Sequence, residues 1–449
     1  MNCLHRIELV MQMLESVWND IQMPEFPRLE HDIQTNVLIV GGGMAGLLTA
    51  YMLKQHGIDC LLVEAGRVCS GITRNTTAKI TSQHGLIYHK LVKKFGADTA
   101  RLYWEANEAA LKRYRQYAQG IACDFEIKDH YVYSLDSPEK LEKELAALQK
   151  LRIPGEYVQK LSLPFSTSGA VRFSQQAQFH PLKFAAGISA GLQIYEHTPV
   201  QSFRGNMAIT DRGKIRASKI VVATHFPVIN KHGAYFLKLY QNRSYVLAAE
   251  GAKRIDGMYL DEAEEGLSLR SSGKFLLVGS GGHRTGKKGA AWEAAEAFLK
   301  KYDPKAAVRY HWAAQDCMSL DGIPYIGQYS RSTPHLYVAA GFNKWGMTSS
   351  MAAAALLCDL IQEKGTPYAA VFSPSRSMFR PQLMVNALEA SVNLLTPTVP
   401  RCPHLGCALK WNPRERTWDC PCHGSRFGED GRLLDDPATG DLKRPYRGK

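Results

Sequence analysis

A chain of 449 residues has room for roughly two or three domains, and 45% hydrophobic with 22% charged residues is an ordinary globular composition that excludes fibrous, repeat and low-complexity classes. The net charge of +13 is dispersed, as in Lys90-Leu-Val-Lys-Lys94 and Arg113-Tyr-Arg115, so it reads as a solvated surface. Without an aromatic base-binding module beside it, nucleic acid is not an expected partner.

Met1 to Glu30 carries Glu8, Glu15 and Asp20 and lacks a basic region followed by an apolar core, so residues 1–34 read as an N-terminal arm and not as a secretory signal. No stretch approaches roughly eighteen uninterrupted apolar residues, and no membrane span is expected. The expected location is the cytoplasm, where thiols stay reduced. Cys3, Cys60, Cys69, Cys123, Cys317 and Cys358 share no ligand spacing and read as ordinary thiols.

Thr35-Asn-Val-Leu-Ile-Val40 is an apolar strand, Gly41-Gly-Gly43-Met44-Ala45-Gly46 fits G-x-G-x-x-G, and Leu47 to His56 reads as a helix. A turn at Gly57 leads to a second strand, Asp59-Cys-Leu-Leu-Val-Glu64. The glycines let the backbone approach a pyrophosphate at the helix N-terminus, and Glu64 stands where an acidic side chain accepts from a ribose.

The continuation Ala65-Gly-Arg67-Val-Cys-Ser-Gly71-Ile-Thr-Arg-Asn-Thr76-Thr77-Ala-Lys79 resembles the flavin loop of the D-amino-acid oxidase and glycine oxidase superfamily. Other matches follow in that family's order: His180-Pro181 opening a helix, Ile194 to Val200, Lys219 to Thr224, Asp321 to Gly327, and Leu336 to Thr348. The last holds Gly341, Lys344, Trp345, Gly346, Met347 and Thr348, and the breaker-free run Ser349 to Ile361 should be its helix. The resemblance spans about residues 35–365. It implies FAD as cofactor and an α/β (α+β) fold of the D-amino-acid oxidase type, with an interleaved mixed-sheet substrate domain.

By the same resemblance, residues 35–366 form the oxidoreductase domain. Its FAD-binding parts fall at about 35–85, 180–229 and 305–366, and its substrate-domain parts at about 86–179 and 230–304. Within the latter, Ser137 to Gln149 has helical patterning, and Ser244–Ala249, Gly266–Arg270 and Lys274–Val278 read as strands roofing the flavin ring. Arg243, Tyr245, Arg270 and His283 are the candidate catalytic roof residues, an arginine being able to clamp a substrate carboxylate bidentately. Gly279-Ser-Gly-Gly-His283-Arg-Thr-Gly286 mimics a second nucleotide loop but lacks its third glycine, so a nicotinamide site is discounted.

After a linker, 367–400, come Cys402-Pro-His404-Leu-Gly-Cys407 and Cys420-Pro-Cys422-His423-Gly-Ser425. Two cysteines and two histidines suit a mixed-ligand [2Fe-2S] centre. Zinc takes the same residue types, though its usual spacing separates a cysteine pair from a histidine pair, whereas each half here mixes the two. The segment resembles the Rieske iron–sulfur family. That implies a small all-β domain at 401–449, Cys402 and Cys420 on one iron, His404 and His423 on the other, and a disulfide between Cys407 and Cys422. A hairpin-like run turns at Asp430-Gly431. Only Ser391 to Pro400 precedes the first loop, so the base sheet reads as truncated and docking on the rest of the chain is expected.

Flavin and cluster in one chain suggest a converter between two-electron and one-electron chemistry. The preferred reading is an FAD-dependent dehydrogenase or oxidase of an amine or amino acid that passes electrons through the cluster to an external acceptor. Its partners are then a small-molecule substrate and an unidentified electron acceptor or donor protein. A reductase module fed by an external donor and a redox-sensing or structural protein with a labile cluster are the rivals.

Overall fold

Three sheets organise residues 15–397 and 400–443, the part of the chain that the computed structural model describes. Cys3, most of the expected N-terminal arm and the chain end beyond Lys443 lie outside the described residues.

The first sheet has eight strands, the path running Tyr325–Gln328, Leu336–Ala340, Lys214–Val222, Ile33–Val40, Cys60–Val63, Ile194–Tyr195. Its central pairs are parallel. Val37 to Val40 are buried in succession, the pattern of a strand covered on both faces. One cover is made by helices Met44–Gln55 and Gly346–Ile361, whose Leu47, Leu48, Met351 and Leu357 share one core. Both helices therefore begin at the carboxyl ends of strands, where open parallel sheets bind ligands.

The second sheet has nine strands and forms the roof. Its longest pairing is antiparallel, from Leu239 opposite Ser319 to Glu250 opposite Ala307. The stretch expected to begin an FAD-binding part at 305 thus starts as a roof strand, Ala307–Ser319, because it pairs along its length with Leu239–Glu250. Lys79–Ile80, at the end of the flavin loop, forms the opposite edge by pairing with Gln178 and Ala177. The pseudo-nucleotide segment 279–286 runs mostly within roof strand Phe275–Arg284.

The third sheet is a four-stranded antiparallel meander of Lys410–Asn412, Thr417–Asp419, Arg426–Gly428 and Leu433–Asp435. Before the first loop there is an isolated bridge from Arg401 to Ala408, and the expected linker contains helix Pro381–Leu395. The small core here is built from Cys402, Cys407, Leu409, Cys420, Cys422, Phe427 and Ala438. So small a core stabilises little by itself, and the module is packed on the roof. A Cβ at Gly424 would lie 2.3 Å from Gln241 Cβ, and Arg284 Nε donates to Pro421 O at 3.0 Å.

Candidate active site and metal centre

The turn after Ile33–Val40 is built for close approach. A Cβ on Gly46 would fall 1.9 Å from Gly41 O, so only glycine lets the helix start this near the strand. Gly43 caps the helix without a side chain and keeps open space above it, where a Cβ would meet only Thr73 Oγ1 at 3.5 Å. Met44 N–H donates to that hydroxyl at 3.1 Å, and Ala45 is buried in the helix. Glu64 accepts from Gly42 N–H at 2.6 Å and Gly66 N–H at 2.8 Å, and burial raises its carboxyl pKa. Ala65 is exposed, and Arg67 turns away from the loop to pair with Glu25 and Glu196. Thr224 N lies 3.1 Å from where a Gly41 Cβ would be, whereas Val200 packs in the core of the first sheet.

Between the loop that ends at Lys79, the Trp345 turn and the roof lies a cleft of about 200 Å³ that opens to solvent. Thr76, Thr77 and Lys79 line one wall, Trp345, Gly346 and Met347 another, and Ser244, Tyr245, Ser268 and Asp316 the roof. Gly341 precedes the Trp345 wall at φ 73°, and Thr348 is tied off, its hydroxyl donating to Thr81 O at 2.8 Å. Asn343 and Lys344 hold φ 52° and 70°, the left-handed region that non-glycine residues rarely occupy. His84 stacks on Trp345 at 4.8 Å and His130 meets it edge-on at 6.0 Å. Burial keeps both imidazoles neutral, His84 down to about 3. These two histidines, which fix the Trp345 plane, carry no motif in the sequence.

Of the four roof candidates only Tyr245 reaches the cleft. Arg243 is committed to Glu415 and Asp435 of the C-terminal module, which removes it as a carboxylate clamp. Arg270 is buried behind the flavin loop, donating through Nε to Thr77 O at 2.5 Å with its guanidinium 5.4 Å from the Trp18 ring. His283 sits behind Tyr245, Nε2 being 3.1 Å from the phenol oxygen. The charged groups in the cleft are others. Burial and then Arg270 push the Lys79 ammonium down to about 7, while Nζ donates to Ser268 Oγ at 2.6 Å and Tyr259 O at 3.1 Å. Asp316 lies deep yet keeps surface on the cleft; burial pushes its carboxyl up against the pull of Lys344 and His225.

The two C-terminal loops close in the same way. Gly406 N–H donates to Cys402 O and Gly424 N–H to Cys420 O, each at 2.9 Å. This brings the Cys402 and Cys420 thiols into hydrogen-bond contact, which lowers Cys402 to about 7 against its burial. The imidazoles of His404 and His423 stand 4.9 Å apart at 90°. Asn230 Nδ2 donates to Pro227 O at 3.2 Å, so its Oδ1 faces His404 Nε2 at 2.7 Å. That hydrogen bond places the imidazole proton on Nε2 and leaves Nδ1 a lone pair.

His423 has its ring against the Phe236 backbone carbonyl. The Nδ1 atoms of both histidines are buried without a partner among the described residues, an arrangement that costs free energy unless something ligates them. Cys407, Cys420 and Cys422 also bring three sulfurs within 4.8 Å, but Cys407 and Cys422 are joined as a disulfide, so that trio offers one free thiol. The set Cys402, His404, Cys420 and His423 fits a two-thiolate, two-imidazole cluster.

A model of the FAD dependent oxidoreductase family matches residues 36–360. The chain belongs to that family. A Rieske [2Fe-2S] domain follows at residues 390–445. The oxidoreductase is 34% identical over 498 residues to YhfW of Bacillus subtilis, whose name calls it a Rieske 2Fe-2S iron-sulfur protein, with 96% of this chain and 97% of the relative covered. It is 25% identical over 223 residues to the gamma-glutamylputrescine oxidoreductase of Escherichia coli, covering 44% and 50% of the two chains. Among solved structures, glycine oxidase from Geobacillus kaustophilus superposes with a TM-score of 0.65 at 19% identity, covering 77% of this chain and 99% of that one. The family and domain make FAD and a [2Fe-2S] cluster the oxidoreductase's cofactors, and the glycine cradle and unpartnered imidazole nitrogens fit them. No helix among the described residues is long and apolar enough to cross a membrane.

Proposed function

We propose that this oxidoreductase oxidises a C–N bond of an amine or amino acid and delivers the electrons through its own Rieske module to an external acceptor. FAD would be held by Gly41, Gly43, Met44, Ala45, Gly46 and Glu64, by the loop Thr76, Thr77 and Lys79, and by Gly341, Trp345, Gly346 and Met347. Cys402, His404, Cys420 and His423 would hold the cluster. Bound there, FAD supplies two-electron acceptance and the cluster one-electron transfer.

The observation that carries the coupling is the orientation of the histidine edge. His404 bonds Asn230, His423 lies 6.2 Å from Phe236, and Phe226 is 6.5 Å from His404. All three contacts come from the segment that follows strand Lys214–Val222, whose end adjoins the glycine turn. The C–N preference rests on the amine chemistry in the names of relatives and fold neighbours, gamma-glutamylputrescine oxidoreductase and glycine oxidase among them.

The chain's own part is binding and proton handling. Trp345 and Tyr245 wall the cleft. Lys79 Nζ, partly neutral near pH 7, accepts the proton that an alkylammonium must lose before its C–N bond is oxidised. Anaerobic addition of an amine and amino-acid panel tests the reading. A member of the panel should bleach the flavin bands and then produce the paramagnetic signal of the reduced cluster; bleaching with no cluster signal sinks the coupling, and no bleaching sinks the substrate class.

A further inference from the structure

Helix Pro381–Leu395 is amphipathic the wrong way round for a soluble surface. Its inward face is polar: Asn386 and Asn393 are buried, and Glu389 is turned in to meet Lys287. Outward stand Met384, Val385, Leu388, Val392 and Leu395, with Phe379 just before the helix, and Phe379 and Leu395 are 85% and 83% exposed. Met384 to Leu395 follow helical spacing, so they form one continuous apolar strip about 16 Å long, with Phe379 beyond its start. Exposing such a strip is costly unless something covers it.

The strip lies beside the cluster loops. Ala390 packs on the core of the C-terminal module, Cys422 Sγ lies 4.0 Å from Glu389 O, and Leu394 reaches the Gly406 turn. Its surroundings are basic. Arg380, at the start of the helix, stacks 4.8 Å over Phe95, which brings near that start the C-terminal end of helix Tyr88–Phe95, a helix with exposed Lys90, Lys93 and Lys94 and no acidic residue. The exposed Lys288 stands at the other flank, next to the Lys287–Glu389 pair.

We infer that this face docks on an anionic phospholipid surface, the helix lying in the interface with its apolar strip among the acyl chains and the lysines at the headgroups. An uncharged strip between cationic flanks has the chemistry of an interfacial helix. A second copy is the poorer occupant, since it would set the same lysines, and a net charge of +13, against each other. Such docking brings the disulfide side of the cluster loops to the membrane while the histidine side stays against the roof.

The test is co-sedimentation of the full-length holoprotein with phosphatidylcholine vesicles with and without phosphatidylglycerol. Binding is expected to the phosphatidylglycerol vesicles and to weaken with salt. L388E/V392E should abolish it, and K93E/K94E should weaken it by about tenfold or more. The flavin spectrum and cluster signal should stay intact in both variants. Absence of binding to anionic vesicles, or binding that survives L388E/V392E, overturns the inference. So does a dimer that L388E/V392E dissociates, which would give the face to a second copy.

Discussion

Tyr245 donates its hydroxyl hydrogen to Glu415 Oε1 across 3.0 Å, so one roof residue touches both the cleft and the hairpin of the Rieske module. Glu415 is buried between two guanidiniums, those of Arg243 and Arg426. Glu415→Ala removes the carboxylate that Arg243 and Arg426 share, leaving Arg243 with Asp435 and Arg426 with Asp419 and Asp435, and should destabilise docking of the module by about 1.5–3 kcal/mol. Denaturant unfolding followed at the cluster's visible bands measures this. Because the residues share one network, Glu415→Ala and Arg243→Ala should cost much less together than the sum of their separate effects.

The same carboxylate sets an acid limit. Burial pushes its pKa up, but Arg243 and Arg426 outweigh that and hold it at about 2, below the ordinary 4.5. A depressed folded pKa contributes stability that is complete above pH 4.5 and lost as the pH falls toward about 2. Proteolysis of the linker should therefore accelerate across that window, and Glu415→Gln should be cleaved rapidly already at pH 6. A variant as resistant as the parent at pH 6 would show that the ion cluster does not hold the module.

Lys79 has the opposite sense. Its folded pKa of about 7 lies below the ordinary 10.5, so between those values the unfolded chain binds a proton that the folded chain does not. Stability should rise with pH through that window, and the penalty is complete below pH 7. Lys79→Met should make the flavin-free protein more stable than its parent at pH 6, by a few kcal/mol. The gap should narrow by pH 9, while amine-dependent flavin reduction in the holoprotein is lost.

Gly46→Ala drives a methyl group into Gly41 O, where the ideal distance is 1.9 Å. The variant should purify without flavin and keep its iron, shown by the absorption spectrum and iron content of one sample. Retention of stoichiometric FAD would remove the turn from the cofactor site.

Cys402→Ser and His423→Ala should lose iron and the low-average-g signal of a reduced Rieske centre while retaining FAD. In an amine-competent preparation both should still show flavin bleaching. Their turnover with a one-electron acceptor should fall by at least tenfold, a loss of about 1.4 kcal/mol in barrier terms.

What could be read from the chain followed from local pattern. The strand, glycine turn and helix of residues 33–55 and the paired cluster loops are written in contiguous residues, and the roof strands around Ser244 and Lys274 appear as short apolar runs. Function at a distance was not legible. Arg243 looked like a substrate clamp because its partner, Glu415, lies 172 residues away. Strand Ala307–Ser319 passed for part of the flavin-binding fold because strand pairing, not composition, puts it in the roof. His84 and His130 stack on Trp345 only once the strands have assembled. Helix Pro381–Leu395 passed for a linker because its apolar residues face away from the body that a core-seeking pattern would bury.

Asn230 and Phe236 close off the imidazole edge of the Rieske module from within the same molecule. Under the proposed coupling, the meeting of flavin and cluster is then not an encounter at all. Its rate should be first order and indifferent to dilution, and a soluble competitor added in excess should find no edge to occupy. The chain has exchanged the freedom of a diffusing carrier for a fixed separation, and only the step beyond the cluster remains a matter of concentration.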